Sequence, residues 1–159
     1  MGGATSVGQL ATQLAKAKGV WVATTASTRN LSYVSQFGAD LVVNYNEQKW
    51  EELEELKGID AFTKATIKGV VKADGAFVSI VNPSEVGYNP SAHPPLKFAA
   101  FYALNNDTAV QDELAAKLAD GSLKITIDTV FPFTQEGVHA LFARLNSGAS
   151  NGKNVLKIV

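Results

Sequence analysis

The chain carries the stretch Gly2-Gly3-Ala4-Thr5-Ser6-Val7-Gly8 near its start, where a glycine-rich loop opens directly into an amphipathic helix. Gly3 and Gly8 have the spacing of the first and last glycines of G-x-G-x-x-G, a pattern that binds dinucleotide phosphates. A helix N-terminus suits a pyrophosphate because it presents unpaired N–H groups and a partial positive charge. The middle position is Thr5 instead of glycine, so its side chain either crowds a phosphate or, with Ser6, donates hydroxyl hydrogen bonds to it. Taken alone, the pattern also fits an ordinary loop before a helix.

The segments that follow alternate between helical and extended periodicity. Apolar residues at helical spacing predict a helix over residues 6–18 that ends at Gly19. Runs rich in β-branched residues predict buried strands over residues 20–25 and 41–45. Further helices are predicted over residues 31–37, 47–56, 62–71, 110–118 and 135–145, and further strands over 76–81, 96–104, 125–131 and 155–159. This alternation predicts a parallel sheet in an α/β domain.

Composition excludes several classes of protein. The chain has 159 residues, of which 46% are hydrophobic and 18% charged, so it is globular and not disordered. Its formal charge of −1 predicts neither a nucleic-acid partner nor a membrane surface. The absence of cysteine excludes disulfides and thiolate ligands, and two histidines are too few for a histidine-built metal site, so we expect no metal. Without a secretory signal in view, the expected location is cytoplasmic.

The turn after the first predicted strand carries the second functional signal. A dinucleotide site that prefers NAD places an acidic residue here, to bind the adenine ribose. This chain has Ala26-Ser27-Thr28-Arg29-Asn30 instead, without an acid. Arg29 with the hydroxyls of Ser27 and Thr28 suits a 2′-phosphate, which favours NADP(H) over NAD(H). The alternative is a solvated turn with an exposed arginine.

Together these segments resemble the cofactor domain of the medium-chain dehydrogenase/reductase superfamily, in particular its zinc-independent quinone oxidoreductase and enoyl reductase branch. The resemblance extends along almost the whole chain, and it implies a single domain over residues 1–159 with a reduced Rossmann-like parallel sheet and helices on its faces. Its motifs are the glycine loop, the 26–30 turn, Phe37-Gly38-Ala39-Asp40 with Val42-Val43-Asn44-Tyr45, Asp74-Gly75-Ala76-Phe77-Val78-Ser79-Ile80, Leu118-Ala119-Asp120-Gly121-Ser122-Leu123, Val130-Phe131-Pro132-Phe133, and Gly152-Lys153-Asn154-Val155-Leu156-Lys157.

The resemblance implies an activity and a set of cofactor contacts. In this family a hydride passes between NADPH and a quinone or an activated alkene. The implied pyrophosphate contacts are Gly3, Thr5, Ser6, Val7 and Gly8. Ser27 and Arg29 are implied at the 2′-phosphate and Tyr45 near the adenine, whereas Ile80, Val81, Asn82 and Phe101 are implied near the nicotinamide, with Tyr102 and Ala103. No residue is singled out as catalytic.

Parts of the family's pattern have no counterpart in this sequence. The N-terminal catalytic domain is absent, and so are the first and fourth strands of the cofactor domain, while residues 125–159 resemble the segment that returns to the catalytic domain. The full cofactor domain has the strand order 3-2-1-4-5-6. Without its strands 1 and 4, we expect the two halves to close up into one sheet of order 3-2-5-6, with residues 20–25 beside residues 76–81. Alternatively, a second chain or a swapped segment fills the gap. A glycine loop without its strand is costly to order, at about 1–2 kcal/mol per residue, so we expect weak or no NADP(H) binding by this form.

Two functions remain open at this point. One is a truncated NADP(H)-dependent quinone or alkene reductase with impaired activity, acting on a small molecule. The other is a non-catalytic dimeric remnant or an engineered minimal domain with a structural or interaction role. The apolar segment from Lys97 to Leu104 resembles the family's dimer edge, so we expect a homodimer through it.

Overall fold

The computed structural model describes residues 2–58, 74–79, 97–102 and 105–158. The chain is α/β, as predicted, and it divides into two compact units. The larger unit comprises Gly2–Asn46 and Thr108–Val159, and the smaller unit comprises Glu47–Asp107. Whether the chain acts as a single domain stays a prediction.

The first part of the larger unit alternates helices with parallel strands. Its elements are helix α1 (Ser6–Ala17), strand β1 (Ala23–Ala26), helix α2 (Leu31–Ser35) and strand β2 (Leu41–Asn44). Strands β1 and β2 pair in parallel, with Ala26 opposite Asn44, so both strands end at the same edge. Gly19 ends α1 with a φ of 72°, a conformation that favours glycine, which explains the predicted stop. Lys16, in the last turn of α1, binds the Asp40 carboxylate at 2.8 Å, and this hydrogen bond lowers the pKa of Asp40.

The second part of the larger unit contains a second parallel pair with a helix between its strands. Its elements are helix α3 (Thr108–Ala119), strand β5 (Ile127–Pro132), helix α4 (Gln135–Asn146) and strand β6 (Lys153–Lys157). Arg144 on α4 binds the Asp128 carboxylate of β5 through two nitrogens, at 2.8 and 2.9 Å. The Asp128 side chain is only 7% exposed and also accepts a hydrogen bond from Asn151 N. The Arg144 guanidinium and this backbone donor hold the pKa of Asp128 well below its usual range.

The smaller unit contributes one parallel strand pair and two short turns. Strand β3 (Ala76–Ser79) pairs with strand β4 (Phe98–Phe101), which confirms the strands predicted in these two regions. The helix predicted over residues 47–56 is wrong, because the chain forms separate 3₁₀ turns at Trp50–Glu52 and Glu54–Leu56, with Leu53 extended between them. On a helix these four glutamates would stand three and four residues apart and repel one another, and a ten-residue helix has too few hydrogen bonds to offset the cost of nucleation. The helix predicted over residues 62–71 lies outside the described residues.

The expected single sheet, which has the family order 3-2-5-6 and places residues 20–25 beside residues 76–81, is wrong. In the described residues β1 pairs with β2, β3 with β4, and β5 with β6, so β1 and β3 belong to different two-stranded sheets. The free edge of β1 is taken at Thr25, which forms a parallel bridge with Gly2 and accepts a hydrogen bond from Gly3 N at 2.8 Å. The backbone that leads into α1 therefore occupies the position that β3 was expected to fill.

The larger unit has a small apolar core between its helices and strands. Ala26, Val34, Val43 and Leu123 are each 3% exposed or less. Tyr33 and Phe37 meet edge to face, with ring centroids 5.3 Å apart. Across the described ranges, no helix combines the length and the apolar composition needed to cross a membrane.

Candidate functional site: the glycine loop and the end of strand β1

Thr5 organises the glycine loop at the start of α1. It is the N-cap of the helix, and its hydroxyl oxygen accepts a hydrogen bond from Gly8 N at 3.0 Å. The same hydroxyl donates to Gly2 O at 2.9 Å, and Thr5 N donates to Gly2 O at 3.1 Å. The hydroxyl proton of Thr5 is thus used inside the loop, so Thr5 shapes the loop, and its direct contact with a cofactor stays a prediction.

Gly3 and Gly8 are glycines because their surroundings leave no room for a side chain. A Cβ on Gly8 would lie closer than 3.0 Å to Gly2 O, and it would be 3.1 Å from Gly3 Cα. A Cβ on Gly3 would lie closer than 3.0 Å to the side chains of Val34 and Thr24. The loop is consequently folded tightly against β1 and α2. It does not hang free, so the expected ordering cost is largely met within the fold.

The N-terminus of α1 differs from the otherwise similar start of α4. Helix α4 repeats the cap, since Thr134 accepts from Gly137 N at 3.1 Å, but it also carries Glu136 in its first turn. Helix α1 has no acidic residue in its first turn. In the described part of the chain, the N–H groups of Ser6 and Val7 also have no acceptor. Among the described residues, nothing balances the positive end of α1, whereas that of α4 has its own glutamate; anion binding at α1 stays a prediction.

The predicted phosphate and adenine contacts lie at the same edge as the glycine loop. Ser27 follows β1 directly, Arg29 is exposed in the 3₁₀ turn Thr28–Asn30, and Tyr45 follows β2. Tyr45 N donates to Ala26 O at 3.1 Å, and the Tyr45 side chain is 55% exposed. Among the residues that the structure describes, Arg29 has no hydrogen-bond or ion-pair partner.

Two buried polar residues that the sequence analysis missed support this edge. Gln9 is fully buried, and its Nε2 donates to Ala4 O at 3.0 Å and to Tyr33 Oη at 2.7 Å. Its Oε1 accepts from Thr126 N at 3.3 Å, which connects the glycine loop to the segment before β5. Asn44, at the end of β2, is 4% exposed. The sequence places Gln9 directly after Gly8, but nothing in the sequence pattern indicates that this polar side chain is buried.

The nicotinamide side of the predicted site is not assembled by the described residues. Ile80, Val81 and Asn82 lie outside them, as does Ala103. Phe101 ends β4, in the smaller unit, and Tyr102 N continues the ladder by donating to Ser79 O at 2.8 Å. Their roles near a nicotinamide stay predictions.

The comparisons with known proteins address the family directly. A family model described as zinc-binding dehydrogenase matches residues 37–156, well over half of the chain. The chain belongs to this family. The resemblance to the medium-chain dehydrogenase/reductase superfamily is thereby confirmed, and the fold is a Rossmann-like fragment of that superfamily.

Three similar proteins cover nearly the whole chain. The trans-enoyl reductase pgmF of Aspergillus terreus is 26% identical over 99% of this chain and 50% of its own length. The chloroplastic NADPH-dependent alkenal/one oxidoreductase of Arabidopsis thaliana is 29% identical over 98% of this chain and 39% of its own. The quinone oxidoreductase structure from Coxiella burnetii superposes with a TM-score of 0.85 at 27% identity, covering 99% of this chain and 51% of that one. The chain therefore spans half or less of the length of the curated relatives it matches.

Zinc, which the family's description names, does not fit the residues in view. The chain has no cysteine, and the described ranges hold no group of three or more His, Asp or Glu side chains that could bind a metal ion.

Proposed function

We propose that this chain is the NADP(H)-binding part of a quinone or alkene reductase. The observation that carries the proposal is made where β1 and β2 end. A helix N-terminus without acidic residues in its first turn lies there, together with an arginine that has no partner within the described residues. When bound, NADPH supplies a hydride, and the acceptor is a quinone or an activated alkene. An NADPH-dependent alkenal/one oxidoreductase and an enoyl reductase among the relatives support this choice.

Different residues of the chain bind different groups of the cofactor. The N–H groups of Ser6 and Val7 bind the pyrophosphate oxygens, as donors that the helix itself cannot use. Arg29, with Ser27, binds the 2′-phosphate, because a planar guanidinium pairs with two phosphate oxygens at once. The exposed ring of Tyr45 lies against the adenine.

The proposal is tested by calorimetric titration of the purified chain with NADPH and, separately, with NADH. Because the glycine loop is held against β1 and α2, we expect weak but saturable binding with a preference for NADPH, in place of no binding. Arg29→Glu removes a phosphate partner and adds a repulsive charge, so NADPH affinity falls about 10–100-fold while NADH affinity changes little. Lys18→Glu is the matched control, since it makes the same charge change at the far end of α1, about 18 Å from the helix N-terminus. No binding up to millimolar cofactor overturns the proposal.

Impaired turnover, a homodimer and a cytoplasmic location belong to the same proposal. Strand β4 pairs with β3 on one side, and no strand covers its other edge among the described residues, which supports self-association through the segment from Lys97 to Leu104. If the chain dimerises but binds no cofactor, the non-catalytic dimeric remnant becomes the better function. Cell fractionation tests the location.

A further inference from the structure

A single buried amide connects the two turns that end β1 and β2. Asn44 Nδ2 donates to Thr28 Oγ1 at 2.9 Å, and Asn44 Oδ1 accepts from Asn46 N at 3.2 Å. The Thr28 hydroxyl, which the sequence suggested for a phosphate, is therefore engaged within the protein. Asn44 is 4% exposed, whereas its partners Thr28 and Asn46 lie at the surface, so the buried amide holds two exposed turns from below.

The turn that carries Arg29 is held at both of its ends. Thr28 is held by Asn44, and Asn30 is held by Asn151, whose Nδ2 donates to Asn30 Oδ1 at 3.1 Å. Asn30 N also donates to Ser27 O at 2.8 Å, which closes the turn. Arg29 lies between two fixed residues, and its side chain extends from a rigid short turn, although Thr28 and Arg29 are both exposed.

We propose that Asn44 is a positioning residue for cofactor discrimination, which holds the Thr28–Asn30 turn so that Arg29 meets the 2′-phosphate of NADPH. The inference rests on the proposed function and extends it from the binding residue to the residue that places it. Asn44 is buried and uncharged, so it acts through Thr28 and Arg29. Its loss lets the turn move, which weakens the contact to the 2′-phosphate more than the pyrophosphate contacts of the glycine loop.

The primary test compares Asn44→Ala with Asn46→Ala in calorimetric titrations with NADPH and with NADH. Asn46 is the matched control because its side chain is exposed, whereas the backbone N–H that binds Asn44 survives the change. We expect Asn44→Ala to lower NADPH affinity about tenfold and NADH affinity less than about threefold, and Asn46→Ala to leave both unchanged.

Two further measurements separate positioning from general destabilisation. In the cofactor-free protein, Asn44→Ala should speed amide hydrogen exchange at Asn30 while leaving exchange in α1 unchanged. Thr28→Val removes the hydroxyl at an exposed position, so it tests the same link even if Asn44→Ala does not fold. Thr28→Val should lower NADPH affinity as Asn44→Ala does, and the double variant should add no further loss.

The outcomes discriminate clearly between the inference and the proposed function. Equal losses of NADPH and NADH affinity in Asn44→Ala overturn the positioning role, and so do additive losses in the double variant. An unmodified chain that prefers NADPH, with an Asn44→Ala variant that keeps the preference, overturns the inference alone. An unmodified chain that binds neither cofactor overturns the proposed function, and the inference with it.

Discussion

Replacing Gly8 with alanine should destabilise the protein, although alanine is the better helix former. In an exposed helix interior this change stabilises by about 1 kcal/mol, because glycine loses more backbone entropy on folding. Here the new Cβ would lie closer than 3.0 Å to Gly2 O and 3.1 Å from both Gly2 C and Gly3 Cα. These are backbone atoms of a loop that is itself bound to Thr25, so no flexible side chain can move aside.

The magnitude follows from setting these two effects against each other. Overpacking against a fixed neighbour costs about 1–3 kcal/mol, and the helix preference of alanine offsets up to about 1 kcal/mol of it. We expect a net loss of about 1–2 kcal/mol for Gly8→Ala, which corresponds to a midpoint about 2–8 °C lower for a chain of this size.

The measurement is thermal and urea unfolding followed by circular dichroism, with Gly2→Ala as the matched control. A Cβ on Gly2 would meet Thr5 Cγ2 at 3.6 Å, an ordinary contact, so Gly2→Ala should leave the midpoint nearly unchanged. If Gly8→Ala is as stable as the unmodified chain or more stable, the tight loop described for residues 2–8 is incorrect.

Three further predictions concern the larger unit and self-association. Gln9→Leu removes hydrogen bonds between a buried amide and partly buried groups on three segments, and it should cost about 3 kcal/mol in urea unfolding; a loss below about 1 kcal/mol would contradict the role given to Gln9. Arg144→Met leaves the Asp128 carboxylate without its main partner, which should cost about 2 kcal/mol at pH 7, less than for a fully buried pair because the Arg144 side chain is 36% exposed. Since the folded-state pKa of Asp128 lies below its ordinary value, this stabilisation is complete above about pH 4 and is lost as the pH falls, so stability should decline less steeply from pH 5 to pH 3 in Arg144→Met; parallel declines would show that the pair does not set the slope. Ala100→Lys on β4 should convert the expected homodimer to a monomer in light scattering, and a monomeric unmodified chain would rule out the proposed edge.

Periodicity and capping signals were sufficient for most of the elements in the larger unit. Helix α1, its stop at Gly19 and the Thr134 cap of α4 were predicted within a residue or two, because each depends on contacts between near neighbours in sequence. The acidic helix over residues 47–56 was wrong for a related reason: helical spacing of its apolar residues says nothing about repulsion among the glutamates between them.

Pairing of the strands was beyond the reach of sequence reasoning. Two central strands of the family have no counterpart in the chain, and this predicts that β1 pairs with β3. Gly2 and Gly3 instead supply the backbone groups that pair with Thr25 of β1. Such pairing depends on which unpaired N–H and C=O groups lie closest in space, and periodicity carries no information about that.

The sequence by itself determined the family and the α/β class, and it supplied the residues after β1 that are predicted at a 2′-phosphate. Only the tertiary structure showed that the N–H groups of Ser6 and Val7 have no acceptor among the described residues and that the Thr5 hydroxyl is used within the loop. Only the tertiary structure also showed that Gln9 and Asn44 are buried, because the identity of a polar residue does not indicate whether its side chain is buried or exposed. Local patterns follow from bonds between near neighbours, whereas burial and hydrogen-bond partners depend on segments far apart in the chain.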